Sequence, residues 1–312
     1  MYKTILIGDM AHGANDIYVH NPIYGNTVNP SLLNKISEYY KIQYPLLLYK
    51  KIYIVAEGVQ HFHKIQIENN DFGIDSETNT IEGLLLRLLD GLRGVLLVPQ
   101  IRQQIYPRCN YVLRYSNLYD NPDISQEIKD NMRKFIEIFS DPNFESYREN
   151  KQKYSEPFII FYNICVNIKN YLKNINPDNP RIEIITNIIK IYQNIMIEII
   201  NANRNIISDP ELVQKNEQLY GLVLQIRDSY VSEKIINARQ QNLLTCVIMG
   251  GNHINNIMHF IGYENIAILN MQVGGYENDK YYKQKYLKYK LKYKELQLQM
   301  GGGRILKKLK QI

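Results

Sequence analysis

Short β-branched runs stand early and late in this chain, and residues 120–241 between them carry no strand pattern at all. Residues 3–8 (KTILIG) and 51–58 (KIYIVAEG) read as buried strands stopped by glycine. LLTCVIMGG (243–251) and NIAILNMQ (265–272) repeat the pattern after the gap. Helical periodicity lies between the early strands, over PSLLNKISEYYK (30–41), with proline at a first-turn position, and continues in TIEGLLLRLLDGLRG (80–94). GVLLVPQ (94–100) and NYVLRYSN (110–117) are further strand candidates. The intervening block reads as helices near 124–139, 155–174, 181–206 and 209–240, punctuated by clusters such as NPDNP. A further helix is expected over INNIMHFIGY (254–263). The pattern predicts an α/β fold: a mainly parallel sheet flanked by helices and interrupted by a large all-helical insert. The expected divisions are 1–119 and 242–277 for the two parts of the α/β domain, 120–241 for the insert and 278–312 for a basic tail.

The net charge of +6 is an average over two unlike parts. Residues 278–312 hold eleven Lys/Arg against two Asp/Glu, leaving 26 against 29 in the first 277 residues. A nucleic-acid footprint is not expected on a mildly acidic body. Cys109, Cys165 and Cys246 are far apart and in no metal-binding spacing, which points to a reducing compartment rather than a disulfide scaffold. The N-terminal residues enter a strand directly, without a signal-peptide pattern, and no run is long enough to span a membrane. An intracellular, non-secreted protein is expected. In the tail, Tyr282, Tyr286, Tyr289, Tyr293, Leu296 and Met300 form a heptad seam with lysine between, suited to self-association as a coiled coil or to an acidic partner.

In an open α/β sheet, ligands gather at the carboxyl ends of the strands, so titratable groups just past a strand carry the most weight. Asp9 and His12 follow the first strand, Glu57 the second, and Asn252 and His253 the late one in GGNH. Histidine supplies a base near neutral pH, and a carboxylate beside it can orient it, act as an acid or ligate a metal. Any one of these residues could equally be a capping or turn residue. Arg227 emerges from an apolar helical face made by Val223, Leu224, Tyr230 and Val231. A charge there needs an anionic partner: Asp228 or another carboxylate in a structural ion pair, or Glu57, Asp9 or an anionic ligand in a site. His61 and His63 in VQHFH have a spacing that could hold a metal, but without a third ligand nearby a surface loop is expected; His20 and His259 read as structural.

IGDMAHG (7–13) resembles the G-E-x-x-H-G opening of the erythromycin esterase-like proteins, which share a fold with the haem-binding ChaN, TraB and TIKI groups. VAEG is similar to their second-strand glutamate, RDSYVSEKI to their R-D-x-x-M-A-x-x-I helix, and VIMGGNHI to their closing strand end. The four motifs occur in the family's order and frame residues 3 to about 270. The resemblance implies a hydrolase of esterase or metalloprotease type acting on a small-molecule or peptide substrate. His12 would be a general base or metal ligand, Glu57 its acid or ligand partner, Arg227 an electrostatic anchor and His253 the second histidine. In a metal-dependent form, His12, Glu57 and His253 would hold a divalent ion with an open water position. The ChaN likeness implies, as an alternative, a haem or small-ligand binding protein without turnover. Asp9 stands where the family has glutamate, Gly250 and Gly251 occupy positions where esterase members tend to have a further histidine, and Val231 replaces methionine. The tail KYYKQKYLKYKLKYKELQLQMGGG resembles tails on unrelated proteins of mimivirus-like giant viruses, as does the richness in Ile, Asn, Lys and Tyr. Host cytoplasm or virion is the location this implies, with a structural virion or factory protein bearing a degenerate site as a further alternative.

Overall fold

A computed structural model describes residues 4–9, 16–22, 25–45, 51–59, 62–97, 121–139, 141, 143, 150–201, 209–263 and 266–269. His12, His61, Cys109, the strand expected over 110–117 and the tail 278–312 lie outside these residues. The chain divides into a unit of residues 1–271 and a second of residues 272–312.

The first unit is an α/β fold. A six-stranded sheet is built from β1 (Thr4–Asp9), β4 (Ile52–Ala56), β5 (His63–Ile67), β6 (Asn70–Ser76), β7 (Leu244–Gly250) and β8 (Ile266–Leu269), in the order β5-β6-β4-β7-β1-β8. All neighbours are parallel except the β5–β6 hairpin. β2 (Tyr18–Asn21) and β3 (Gly25–Val28) form a separate antiparallel ribbon. β7, which follows the helical block, lies between β4 and β1, which precede it. Its seven residues are all buried, as expected of a strand covered on both faces.

The side-chain alternation of the strands feeds two cores. Ile5, Ile7, Ile54, Cys246 and Ile248 face α1 (Pro30–Gln43), which buries Leu32, Leu33, Ile36 and Tyr40 against them. Asn29 caps α1 by accepting from the Ser31 amide at 2.9 Å, and Pro30 occupies the first turn. Leu6, Val55, Val247 and Met249 face the other core, formed by α2 (Ile81–Leu97), α3 (Gln126–Phe139), α4 (Lys151–Ile175), α5 (Arg181–Asn201), α6 (Pro210–Gln240) and α7 (Gly251–Ile261). Helix α6 runs from the helical block onto the sheet. Asp209 caps its start by accepting from Glu211 and Leu212 amides, and Asn242, at φ 63°, turns the chain from its end into β7. Among the described residues no helix is long and apolar enough to cross a membrane. Cys165 and Cys246 are unpaired and buried.

Three sequence expectations change. The run GVLLVPQ does not start a strand, because α2 continues to Leu97, with Leu92 packed in the core. VQHFH is not wholly a surface loop. His63 begins β5, is buried, and its Nε2 is hydrogen-bonded to Thr27 Oγ1 of β3, tying the ribbon to the sheet edge. β5 and β6 were not expected as strands, since NDFGIDS mixes polar residues and glycine among its apolar ones. His20 sits on the exposed side of β2 and His259 in the exposed last turn of α7.

Helix α2 approaches the end of β6 so closely that Gly83 has no room for a side chain. A methyl there would collide with the Glu77 carbonyl oxygen and lie 2.8 Å from the Tyr230 ring. Gly221, in the middle of α6, has nothing within 4 Å of such a methyl. Gly83→Ala is therefore expected to lower stability by about 1–3 kcal/mol despite the better helix propensity of alanine. Gly221→Ala is expected to raise it by roughly 0.5–1 kcal/mol. Thermal or urea unfolding of the two variants checks both signs.

Candidate functional site

β1 and β7 are neighbours whose following helices lie on opposite faces of the sheet, α1 on one and α7 on the other. Such a reversal opens a crevice at the carboxyl ends of the two strands. Asp9 and Gly250 are register partners at that end. One strand further, Glu57 follows β4, with its amide donating to the Ile248 carbonyl at 2.8 Å. One strand further again, Glu77 follows β6. Four adjacent strand ends thus present Asp9, the glycines leading into α7, Glu57 and Glu77, and the three carboxylates are all buried.

The helices supply the counter-charges. Arg227 of α6 is 3% exposed. Its Nη2 donates to Glu57 Oε1 at 2.9 Å and to Glu77 Oε2 at 2.8 Å, and its Nη1 donates to Asp90 Oδ2 of α2 at 2.9 Å. Arg87 of α2 donates to Glu57 Oε1 at 2.8 Å. The second Glu57 oxygen accepts from the Gly250 amide at 3.0 Å, at the amino end of α7. Burial pushes the Glu57 carboxyl up, but Arg227, Arg87, His253 and the Gly250 N–H outweigh it and hold the group well below the usual carboxylate range. Burial likewise opposes the charge on Arg227, and Glu77, Asp90 and Glu57 more than restore it.

Beside this cluster lies an Asp–His pair. His253, in the first turn of α7, places Nδ1 2.5 Å from Asp228 Oδ1, and Asp228 Oδ2 accepts from Asn256 Nδ2 at 2.8 Å. His253 Nε2 faces Arg227 Nη1 at 3.5 Å and Glu57 Oε2 at 4.0 Å. A guanidinium can only donate, so the network assigns the acceptor lone pair to Nε2 and the proton to Nδ1, facing Asp228. Burial raises the Asp228 carboxyl above its ordinary range, against the pull of His253, Asn256 and Arg227.

Of the residues singled out in the sequence, Glu57, Arg227 and His253 converge within hydrogen-bonding or near-contact distance. Asp9 is buried at the same end of the sheet. Asn252 is exposed, and His12 lies outside the described residues. Arg227 and Asp228 do not pair with each other; adjacent helical residues point about 100° apart, and each finds its partners on a different element. Glu77, Arg87, Asp90 and Asn256 were missed, and Asp228 was weighed only as a partner for Arg227. Two signals could have found some of them. Gly83, Arg87, Asp90 and Gly94 make a small and polar stripe at spacings of four, three and four in a helix otherwise rich in leucine. Glu77 follows an alternating IDS segment just as Glu57 follows IVA.

The donor set does not suit a divalent cation at Glu57 and His253. Both Glu57 oxygens already accept from donors, and two guanidiniums stand where a cation would need anions. Among the described residues no three His, Cys, Asp or Glu side chains are grouped to hold a metal. Comparison of the chain with family models, with curated proteins and with solved structures finds no match.

Removing the buried guanidinium leaves Glu57, Glu77 and Asp90 crowded together. Arg227→Met is expected to cost about 3–5 kcal/mol at pH 7. Glu57 has a depressed folded pKa, so its contribution is complete above the unfolded value near 4.3 and fades as pH falls through the lower folded value. The gap between wild type and Arg227→Met should therefore narrow below about pH 4. Urea unfolding at pH 7 and pH 3 measures it; a gap that widens in acid would contradict the assignment.

Proposed function

We propose that the chain is a hydrolase of the erythromycin esterase/TIKI-like type, acting on an ester or amide at the carboxyl ends of β4, β7 and β1. The observation that carries the reading is the buried Asp228–His253 pair, whose Nε2 faces the Glu57–Arg227 cluster at the crevice. Asp228 and Asn256 hold the imidazole in one tautomer and one orientation. His253 Nε2 takes a proton from water as its oxygen bonds to the substrate carbonyl carbon. The resulting oxyanion develops at the first-turn amides of α7 beyond Gly250, an N-cap residue that offers them no side chain. Collapse of the intermediate breaks the bond to the leaving group, which receives the proton from Nε2. Glu57 remains ionised throughout and keeps Arg227 in place. His12 enters the proposal through the motif resemblance alone.

The roles of the Asp–His pair separate by substitution. In Asp228→Asn the new amide must either set an NH2 against Asn256 or turn it toward His253 Nδ1, and the second choice reverses the imidazole tautomer. Hydrolysis of 4-nitrophenyl acetate by the purified chain is expected to persist after chelator treatment. It should fall on the order of 10²–10⁴-fold in kcat for both His253→Ala and Asp228→Asn, with smaller changes in KM. Wild-type turnover by His253→Ala would overturn the reading.

A further inference from the structure

In α/β folds, a ligand's negative charge is most often received by the amino end of the helix after a strand, with an arginine beside it. In this chain one of its own carboxylates occupies both. Glu57 Oε2 takes the Gly250 amide at the start of α7, and Oε1 takes Arg227 and Arg87. Arg227 Nη2 also donates to Glu77, its Nη1 donates to Asp90 and lies 3.5 Å from His253 Nε2, and Arg87 lies 3.7 Å from Glu77 and 3.6 Å from Asp90. We propose that Glu57 is a charge filter: by filling the anion cradle made by the amino end of α7, Arg227 and Arg87, it makes the site accept molecules whose reacting end is uncharged or cationic and turn away those bearing a carboxylate or phosphate there.

Two further observations point the same way. Asp9 is buried at the neighbouring strand end, in register with Gly250, so a further carboxylate stands at the strand end beside the cradle. Burial, together with Asp9, Glu57 and Glu77, pushes the Tyr18 hydroxyl far up, which marks a negative field around that group. The ion pairs state what the filter depends on. Among the described residues, Arg87 and Arg227 share Glu57 and Glu77 and both approach Asp90, which Arg93 reaches at 3.8 Å. Take Glu57 away, and Arg87 and Arg227 lose the carboxylate they share, around a space of its size. A like charge brought beside Glu57 in this partly dry setting is disfavoured on the order of a hundredfold or more.

The test uses the full chain and two probes, sodium acetate and inorganic phosphate, each compared with sodium chloride at equal ionic strength. Wild type is expected to show no rise in Tm with either probe beyond the chloride control. Glu57→Ala is expected to gain a rise of several degrees with millimolar acetate, and that rise should vanish when Arg87→Met is added. Glu57→Gln keeps the volume and loses the charge, so it decides the matter should Glu57→Ala fail to fold. In it, the kcat/KM ratio of mono-4-nitrophenyl succinate to 4-nitrophenyl acetate is expected to rise at least about tenfold over wild type. Stabilisation of wild type by acetate or phosphate that disappears in Arg87→Met would show the cradle open and overturn the filter. So would a folded Glu57→Ala that gains nothing from acetate, or an unchanged ratio in Glu57→Gln. Which ester is turned over rests on the hydrolase reading; which ion binds does not. If acetate binds as expected but neither ester is hydrolysed, the filter stands and the hydrolase reading falls. His253-dependent hydrolysis without the acetate gain would leave hydrolysis standing and remove the filter.

Discussion

A guanidinium stays charged in any protein environment, so burying one obliges the chain to bring carboxylates to it from wherever they lie in the sequence. Arg227 draws in Glu57 from the end of β4, 170 residues away, together with Glu77 from the end of β6 and Asp90 from α2. An alternative seating of α6 on the sheet would leave that charge buried without partners, a far larger penalty than a lost apolar contact. A second rung lies below the first. Two turns along α6, Lys234 donates to Asp75 Oδ2 and to the Ser76 carbonyl, both at 3.0 Å, while Asp75 is two residues before Glu77 on the same side of the strand. Burial lowers the Lys234 pKa even with Asp75 beside it. Helix α6 and strand β6 are therefore registered by two cation–carboxylate pairs as well as by apolar packing, and α2 is drawn in by Asp90 and Arg87.

Neighbouring residues of α6 divide the labour that follows. Arg227 points to the strand ends and α2, and Asp228 points to α7, where it meets His253 and Asn256. The same helix thus fixes the carboxylate cluster and orients the imidazole. Since β7 leads directly into α7, His253 is held from two directions: by the strand end through the helix start, and by Asp228 from above. Side chains held this way have little freedom left to lose on ligand binding, as the proposed proton transfer requires.

Much of this was legible in the sequence, and the limits have physical causes. The strands β1, β4 and β7 announce themselves because they are buried on both faces and read as unbroken apolar runs. Glu57, Arg227 and His253 could be singled out because each interrupts or ends such a pattern, and a charge in that position has to be explained. β5 and β6 escaped notice since they lie at the sheet margin, where polar residues are tolerated and where Asp75 and Glu77 are needed. The extension of α2 to Leu97 was misread because a run such as Val95–Leu97 has no visible period when every position in it is apolar. Arg87 and Asp90 were not singled out, although their three-residue spacing puts both on the face that meets Glu57 and α6. Asp228 was weighed only as a partner for its neighbour, an interaction that helix geometry forbids.

Glu57 and Asp228 show why two buried carboxylates in one site need not do the same work. Glu57 faces two guanidiniums and a helix amino end, so its environment favours the ionised form and its folded pKa falls. Asp228 faces an imidazole and a carboxamide, which do not offset its burial, and its pKa rises. The signs for stability are opposite. The depressed group adds stability above its unfolded pKa, which is lost only as pH falls through the folded value. The raised group adds stability below its unfolded pKa and loses it as pH rises through the folded value, so near neutrality its ionised form is a cost to the fold. A carboxylate whose ionised form is costly is one that gains when a positive charge appears next to it. Protonation of His253 Nε2 would create that charge 2.5 Å from Asp228 by way of the Nδ1–H. Environments that push two carboxyl groups in opposite directions assign different roles to them. Here Glu57 is the permanent charge that holds the architecture, and Asp228 is the group whose interaction strengthens when a proton moves.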